Sequence, residues 1–273
     1  MEIGDVSRRG LVLLGCGKMG GALLQGWFGQ GMDMKAVWVV DPALSDEMSA
    51  PVGVNLNADL PASPAIVVVA VKPQVMDSAL ETVRRFGGHQ DTLFLSVAAG
   101  VTLERFEAAL GSSTPVIRAM PNTPAAIGRG ITALVCNDRV TDAGMDMGEE
   151  LLSAVGQTVR LDREEDMDAV TAVSGSGPAY VFHLIEALAA AGQAEGLSPE
   201  LALALARSTV VGAGALAEAS PEGPGQLRAN VTSPGGTTEA ALNVLMDDST
   251  GFPALVSQAV SAAASRSREL GKG

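Results

Sequence analysis

The chain has 273 residues, of which 47% are hydrophobic and 18% are charged, and its formal net charge is -13. This length and hydrophobic content suit two folded domains of unequal size and exclude an intrinsically disordered chain. The acidic balance argues against nucleic acids and anionic membranes as partners, because phosphate binding requires clustered Lys and Arg.

The first half of the chain alternates between short apolar runs and helical patterns. Continuous apolar runs are typical of strands that are buried on both faces of a sheet. Strands are predicted at 11–14, 37–40, 66–71, 93–97, 116–120 and 131–135, and helices at 19–28, 76–86 and 103–109. This alternation predicts an α/β Rossmann-like domain over residues 1–162, with a parallel sheet and right-handed crossovers.

The strand patterns stop after about residue 161, and residues 163–273 are predicted to form an all-α domain. Helices are predicted at 164–173, 178–191, 201–219, 238–246 and 252–270. The S-G-S-G-P sequence at 174–178 is expected to end the first helix and separate it from the second. The segment 179–191 is apolar apart from His183 and Glu186, which predicts a helix buried on all sides. Because so small a domain has little interior of its own, a subunit interface is the natural place for this surface.

A glycine-rich motif, G-C-G-K-M-G at 15–20, lies between the first predicted strand and the first predicted helix. Gly15 permits the tight turn, Gly17 lets the backbone approach a pyrophosphate, and Gly20 allows close packing of helix on strand. The free N–H groups of the helix N-terminus then face the phosphates. The alternative is a glycine-rich turn without a ligand, but the context of strand and helix favours a dinucleotide site.

Asp41 ends the second predicted strand, about 20 residues beyond the last glycine of the motif. A carboxylate in this position accepts hydrogen bonds from the ribose hydroxyls of NAD and repels the extra phosphate of NADP. No Lys or Arg follows it closely, so the sequence favours NADH over NADPH. The alternative is a turn residue that caps its own backbone ahead of Pro42.

Three further loops follow the carboxyl ends of predicted strands, where ligands bind in such folds. As a set these loops favour a cofactor cleft, although each by itself would pass for ordinary loop chemistry. These loops contain Val71, Lys72, Pro73, Ala98, Ala99, Gly100 and Asn122.

The helical half contains a second informative stretch, N-V-T-S-P-G-G-T-T-E at 230–239. It places hydroxyls and backbone N–H groups just ahead of a helix, an arrangement that can bind a small carboxylate without an arginine. The alternative is a plain N-cap in which Thr237 or Thr238 precedes Glu239.

Other chemistries find no support in the sequence. His89 and His183 have no cysteine or carboxylate partners at metal-ligand spacing, so no metal is expected. Cys16 and Cys136 do not form a disulfide framework, and the N-terminus lacks a secretion signal. We therefore expect a cytoplasmic protein.

Together these motifs resemble the pyrroline-5-carboxylate reductase family over essentially the whole chain. The resemblance is carried by R-A-M-P-N-T-P at 118–124, by D-A-V-T at 168–171 leading to S-G-S-G-P-A-Y at 174–180, and by V-T-S-P-G-G-T-T at 231–238. It implies reduction of the cyclic imine (S)-1-pyrroline-5-carboxylate to L-proline by NADPH or NADH. It also implies a homodimer, which some members assemble into a decamer of five dimers.

The resemblance assigns roles to individual positions. The resemblance implies that the pyrophosphate turn comprises Gly15, Gly17, Lys18, Met19 and Gly20. The remaining cofactor contacts that it implies are Asn57, Ala70, Val71, Lys72, Pro73, Ala98, Ala99, Gly100, Asn122 and Asn230. The substrate carboxylate is held by Ser233, Gly235, Gly236, Thr237 and Thr238, with Glu164 as a further polar contact. Thr238 places its hydroxyl beside the ring nitrogen and is the catalytic residue that the resemblance implies. Asp41 departs from the small polar residues that are common at its position in NADPH-using members.

Two alternatives belong to other classes. The related β-hydroxyacid dehydrogenases use a lysine of the helical domain to move the alcohol proton. Here the only lysine after Lys72 is Lys272, at the C-terminus, which argues against that activity. A nucleotide sensor without turnover is the second alternative, and the intact loop at 233–238 argues against it.

Overall fold

The structure is a computed structural model that describes residues 3–44 and 53–271. It divides into two compact units. The first contains the chain up to Gly175 together with the C-terminal residues from Ala264 onward, and the second spans Ser176–Ala263. The sequence places the domain boundary at residue 162, whereas the contacts extend the first unit through the helical segments up to Gly175 and add the C-terminal end of the last helix.

The first unit contains one eight-stranded sheet with the order β3-β2-β1-β4-β5-β6-β7-β8. The strands are β1 (Leu11–Leu14), β2 (Val37–Val40), β3 (Asn55–Leu56), β4 (Ile66–Val69), β5 (Leu93–Ser96), β6 (Val116–Met120), β7 (Gly130–Cys136) and β8 (Gly156–Arg160). Helices of this unit are α1 (Ile3–Arg9), α2 (Lys18–Gly29), α3 (Met76–Val83), α4 (Leu103–Leu110), α5 (Asp142–Ser153) and α6 (Met167–Val170).

Both faces of the central strands are buried, which explains their continuous apolar sequences. Along β1, Leu11 and Leu13 enter one hydrophobic cluster while Val12 and Leu14 enter another. All four side chains are at most 1% exposed. Successive side chains of a strand point to opposite faces, so the two clusters lie on the two sides of the sheet.

The predicted parallel sheet is confirmed, with one antiparallel pair as the exception. β7 pairs antiparallel to β6, and β8 then pairs parallel to β7. The connection between β6 and β7 holds only a short 3-10 helix, Thr123–Ile127. A parallel neighbour needs a crossover of a dozen or more residues, so this shorter connection turns the chain back.

The predicted break at 174–178 narrows to a single residue, Ser176, which lies outside both helical segments. α6 continues into a π-helical turn at Thr171–Gly175, and α7 begins at Gly177. Pro178 lies in the first turn of α7, where its missing N–H costs nothing. The Ser174 hydroxyl donates to the Val170 carbonyl at 3.0 Å within this π-helical turn.

The second unit consists of α7 (Gly177–Ala194), α8 (Pro199–Ala219), α9 (Pro224–Asn230), α10 (Thr237–Leu245) and most of α11 (Phe252–Leu270). Its buried cluster contains only small side chains, those of Ala189, Ala202 and Ala206, packed with Ile185. Alanines in these positions let α7 and α8 approach closely, but they leave the longer apolar side chains outside.

The predicted burial of α7 on all sides does not hold within a single chain. Phe182 is 60% exposed and Leu188 is 43% exposed. His183, expected to be an interior residue, is exposed and lies 3.1 Å from the Glu186 carboxylate. Among the described helices, α8 is long and apolar enough to cross a membrane by length and composition.

Candidate active site

The glycine motif forms a tight turn between β1 and α2. Gly15 has a φ of 85°, in the left-handed region that favours glycine. A Cβ atom at Gly20 would lie 2.1 Å from the Gly15 carbonyl oxygen, so only glycine lets the first turn of α2 pack on this loop. A Cβ at Gly17, by contrast, would meet no protein atom within 4 Å. Gly17 thus faces open space at the N-terminus of α2, where no side chain caps the free N–H groups.

A cavity of about 550 Å³ opens beside this turn. It lies at the carboxyl ends of β1, β2 and β4, where parallel sheets bind ligands. Of the residues predicted to contact the cofactor, six line it: Gly15, Gly17, Asp41, Ala70, Val71 and Lys72. Its volume is within the range of about 300–1,000 Å³ that is usual for small-molecule sites.

One wall of the cavity was not predicted. It consists of Val75 with Ser78, Ala79 and Thr82 of α3. The spacing i, i+3, i+4, i+7 places these residues on one helix face. Small and hydroxyl side chains at that spacing, directly after the Lys72–Pro73 loop, are a signal in the sequence that could have identified this wall.

The remaining predicted cofactor residues lie outside the cavity lining. Lys18 is exposed at the start of α2, Met19 packs against the core, and Pro73 is exposed. At the end of β5, the Ala98 N–H donates to the Ser96 hydroxyl at 3.2 Å. Its neighbours in the predicted set are Ala99, which is exposed, and Gly100, which has a φ of 75°.

Asn122 connects two segments of the first unit. Its side-chain oxygen accepts a hydrogen bond from the Ile131 N–H at 3.0 Å, and its amide nitrogen donates to the Ser174 carbonyl at 3.2 Å. The predicted cofactor contact of Asn122 would therefore use an amide that already ties the β6–β7 loop to the π-helical turn.

Asp41 combines features of both interpretations made from the sequence. One carboxylate oxygen accepts the Ala43 N–H at 2.9 Å, which is the local turn cap. The other accepts the Cys16 N–H of the glycine turn at 2.7 Å, and Asp41 lines the cavity beside this turn. Burial, and secondarily the charge of Asp41, raises the pKa of the Cys16 thiol above its ordinary value.

Glu164 has partners within the first unit. One carboxylate oxygen accepts from the Arg118 guanidinium at 2.6 Å and from the Leu103 N–H at 2.9 Å. The Arg118 side chain is only 7% exposed. Glu164 therefore neutralises a buried cation and caps the first turn of α4, whether or not it also contacts a substrate as predicted.

The predicted substrate loop lies in the second unit, ahead of α10. Gly235 has a φ of 70°, and the Gly236 N–H donates to the Ser233 carbonyl at 2.9 Å. The N-cap of α10 is Gly236 rather than Thr237 or Thr238, and no side chain caps the helix. Glu239 accepts the Gly235 N–H at 2.7 Å. The plain threonine N-cap is therefore wrong, and the first N–H groups of a nine-residue helix remain available to a carboxylate.

Asn230 ends α9 within a chain of polar side chains in the same unit. Its oxygen accepts from the Gln226 amide and its nitrogen donates to Glu222, each at 2.8 Å. A second cavity, of about 470 Å³, lies between α9 and α10 and includes Thr232 and Glu239 in its lining. In the described part of the chain, no group of His, Cys, Asp and Glu side chains could hold a metal ion.

Comparisons with known proteins match the two halves of the chain to two different family models. Residues 10–100 match a family model described as NADP oxidoreductase coenzyme F420-dependent, and residues 164–270 match one described as pyrroline-5-carboxylate reductase dimerisation. A pyrroline-5-carboxylate reductase of Pseudomonas aeruginosa is 41% identical over 95% of this chain and 96% of its own length. The chain belongs to the pyrroline-5-carboxylate reductase family.

Solved structures of the family share the fold. A pyrroline-5-carboxylate reductase from Coxiella burnetii superimposes with a TM-score of 0.90 at 34% identity, over 97% of this chain and 99% of that one. A pyrroline carboxylate reductase from Plasmodium falciparum, solved with NADP bound, gives 0.82 at 30% identity, over 96% and 98% of the two chains. The protein is thus an NAD(P)-dependent oxidoreductase with an N-terminal Rossmann-like domain and a helical dimerisation domain.

Proposed function

We propose that this chain reduces (S)-1-pyrroline-5-carboxylate to L-proline with a reduced nicotinamide dinucleotide, the last step of proline biosynthesis. The observation that carries the proposal is the loop ahead of α10. Its helix N-terminus has no side-chain cap, and Thr237 and Thr238 are the first two residues of the helix. An arrangement of this kind can bind a small carboxylate. The glycine turn would bind the nucleotide that a reductase also requires.

The glycine turn fits a dinucleotide pyrophosphate. The packing of Gly20 on Gly15 leaves no room for a side chain, whereas the space in front of Gly17 is open. The N–H groups of α2 would bind the phosphates, and Gly15, Asp41, Ala70, Val71 and Lys72 would surround the adjoining part of the cofactor. When bound, the nicotinamide supplies the hydride for the imine carbon.

The residues of the substrate loop orient the imine and handle its proton. A C=N bond accepts a hydride most readily when the nitrogen is protonated, so the site must chiefly align carbon and cofactor. Thr238 is half-buried, and its hydroxyl can accept a hydrogen bond from the iminium N–H. The N–H groups at the start of α10 hold the carboxylate. No strong acid is needed, which suits a loop without Lys or His.

NADH is the cofactor that we propose in preference to NADPH. The Asp41 carboxylate lies in the cavity wall, and residues 42–54 contain no Lys or Arg that could bind a 2′-phosphate. Lys72 also lines the cavity, but it belongs to the loop after β4. The Asp41 carboxylate would accept hydrogen bonds from the ribose hydroxyls of NADH and would repel the 2′-phosphate of NADPH.

We also propose a cytoplasmic homodimer, with further assembly into a decamer of five dimers as the larger form. The helical unit supports the dimer, since its apolar side chains greatly outnumber its buried positions. The decamer follows from family resemblance alone and is tested by the molar mass in solution.

The direct test follows absorbance at 340 nm with pyrroline-5-carboxylate and either NADH or NADPH at matched concentration. Substrate-dependent oxidation is expected, faster with NADH. Faster turnover with NADPH would keep the reductase and contradict the argument from Asp41. If the folded protein binds nucleotide but oxidises neither, the reductase proposal fails and a nucleotide sensor becomes the better interpretation.

A further inference from the structure

Asn57 has the only positive φ among the described residues other than glycine, at 47°. It directly follows β3, the two-residue strand at the edge of the sheet. Asparagine is among the few side chains that tolerate the left-handed region, because its short amide can bond the local backbone. An outlier of this kind indicates that the surrounding structure holds the residue in place.

The Asn57 amide holds the backbone of Asp41 from both sides. Its oxygen accepts the Asp41 N–H at 2.9 Å, and its nitrogen donates to the Asp41 carbonyl at 3.0 Å. The Asn57 N–H also donates to the Val39 carbonyl at 2.8 Å. The side chain thus continues the pairing of β2 and β3 beyond the end of β3 and fixes the backbone of Asp41.

With its backbone fixed, Asp41 aims its carboxylate at the phosphate-binding turn. The bonds from Cys16 N–H at 2.7 Å and Ala43 N–H at 2.9 Å engage one carboxylate oxygen each. In the described part of the chain, no Lys, Arg or His lies within ion-pair distance of this carboxylate, so its charge is not neutralised by a salt bridge. A fixed, unneutralised carboxylate discriminates against an anionic group more strongly than a mobile one, which can turn away from it.

We infer that Asn57 is a positioning residue that sets nucleotide discrimination at this site. By holding Asp41 against the glycine turn, it favours dinucleotides with a free ribose 2′-hydroxyl over those with a 2′-phosphate. The inference rests on the proposed nucleotide-dependent function. It gives Asn57 a role through Asp41 instead of the direct cofactor contact that family resemblance implies.

The test measures dissociation constants of NADH and NADPH by calorimetry, together with KM for each nucleotide. Asn57→Gly keeps the left-handed backbone accessible and removes both amide bonds. The ratio of Kd(NADPH) to Kd(NADH) should fall by about tenfold, in line with the loss of hydrogen bonds that orient a charged group. The change should appear in Kd and KM for nucleotide and leave KM for the imine unaltered.

Asn55→Ala is the matched control. The Asn55 amide also ties β3 to the β2 region, donating to the Lys35 and Val37 carbonyls at 2.9 and 3.1 Å, but it does not bond Asp41. This variant should keep the discrimination of the wild-type protein. An equal fall in both variants would mean that loosening β3 is sufficient, and it would overturn the inference.

The double variant Asp41→Asn/Asn57→Gly completes the test. If Asn57 acts through Asp41, the double variant should discriminate no less than Asp41→Asn alone. Independent, additive losses would instead indicate direct contact of Asn57 with the nucleotide and overturn the inference. Because binding is measured without substrate, failure of the reductase proposal, which would show as no turnover, is distinguishable from failure of this one.

Discussion

Two glycines of the same turn make separable contributions. A methyl at Gly17 meets open space, so Gly17→Ala should fold with wild-type stability yet bind nucleotide at least about tenfold more weakly, because the methyl occupies the pyrophosphate approach. A methyl at Gly20 collides with the Gly15 carbonyl, so Gly20→Ala should lose nucleotide binding and also about 1–3 kcal/mol of stability.

Calorimetry and thermal melts on both variants separate these effects. Gly21→Ala is the control, since its Cβ would lie 3.7 Å from the Cys16 carbonyl oxygen, an ordinary contact. Unimpaired nucleotide binding in Gly17→Ala would contradict the placement of the pyrophosphate at this turn.

Thr238 and its neighbour test the assignment of the substrate loop. Thr238→Ala removes the hydroxyl proposed beside the imine nitrogen, so kcat should fall at least about tenfold while nucleotide affinity is kept. Thr238→Ser retains the hydroxyl and should restore most of the rate. Steady-state kinetics with saturating nucleotide measure both. A similar loss in Thr237→Ala, whose side chain is the more exposed of the two, would argue that the loop acts through its conformation rather than through one hydroxyl.

At the scale of elements, Glu164 joins β6, α4 and the start of the α6 region. Removing its charge leaves Arg118 buried without a counter-charge, which typically costs about 3–5 kcal/mol. Glu164→Gln should therefore lower the unfolding free energy by about 3 kcal/mol, measured by chemical denaturation. The double variant Arg118→Met/Glu164→Leu should recover much of the loss, because it removes both charges. Wild-type stability in Glu164→Gln would show that the ion pair contributes little.

Asp247 organises the turn between α10 and α11. One carboxylate oxygen accepts bonds from the N–H and hydroxyl groups of Ser249 and Thr250. These bonds hold the pKa of Asp247 well below its ordinary value, with the Ser249 and Thr250 side chains as the largest causes. A lowered pKa in the folded state stabilises the protein above the unfolded-state pKa of about 3.9, and this contribution declines as the pH falls below it.

Asp247→Ala should therefore melt below the wild-type protein by a constant difference from pH 8 to about pH 5, and the difference should shrink below about pH 4. Melting temperatures across this range measure it. A difference that grows in acid would have the wrong sign for a carboxylate with a lowered pKa.

The predictability of individual elements follows from where their stabilisation originates. The strands β1, β4 and β5 are buried on both faces, so their own apolar sequences identify them. β8 is an edge strand with an exposed, mixed sequence, and the two-residue β3 exists through its pairing with β2. The reversed direction of β7 depends on the length of a loop rather than on the strand itself.

The candidate site likewise combines features that local sequence predicts with features that depend on contacts between distant residues. The glycine turn is a local motif that its spacing and context predict, whereas the substrate role of the loop ahead of α10 was predicted only through the family resemblance. The bonds from Asn57 to Asp41 and from Arg118 to Glu164 join residues 16 and 46 positions apart, and no local pattern encodes those pairs. These two pairs of polar partners could therefore be identified only from the three-dimensional structure.

At the scale of the whole molecule, the helical unit has more apolar surface than one chain can cover. Phe182 of α7 is 60% exposed, and Val211 and Leu216 of α8 are 64% and 55% exposed. Isolated surface hydrophobics are common, but a set on two packed helices indicates an interface. The match of residues 164–270 to a dimerisation family places this surface in the appropriate part of the chain.

Phe182→Asp and Val211→Asp should each shift the protein toward monomer, because a buried, unpaired carboxylate disfavours association. Phe28→Asp is the matched control: Phe28 is 51% exposed at the end of α2, outside the helical unit, and its replacement should leave the assembly intact. Light scattering coupled to size-exclusion chromatography measures the molar mass over a concentration series. A wild-type dimer that persists in both helical variants would show that its interface lies elsewhere. Loss of the dimer in Phe28→Asp alone would indicate that the interface lies in the first unit.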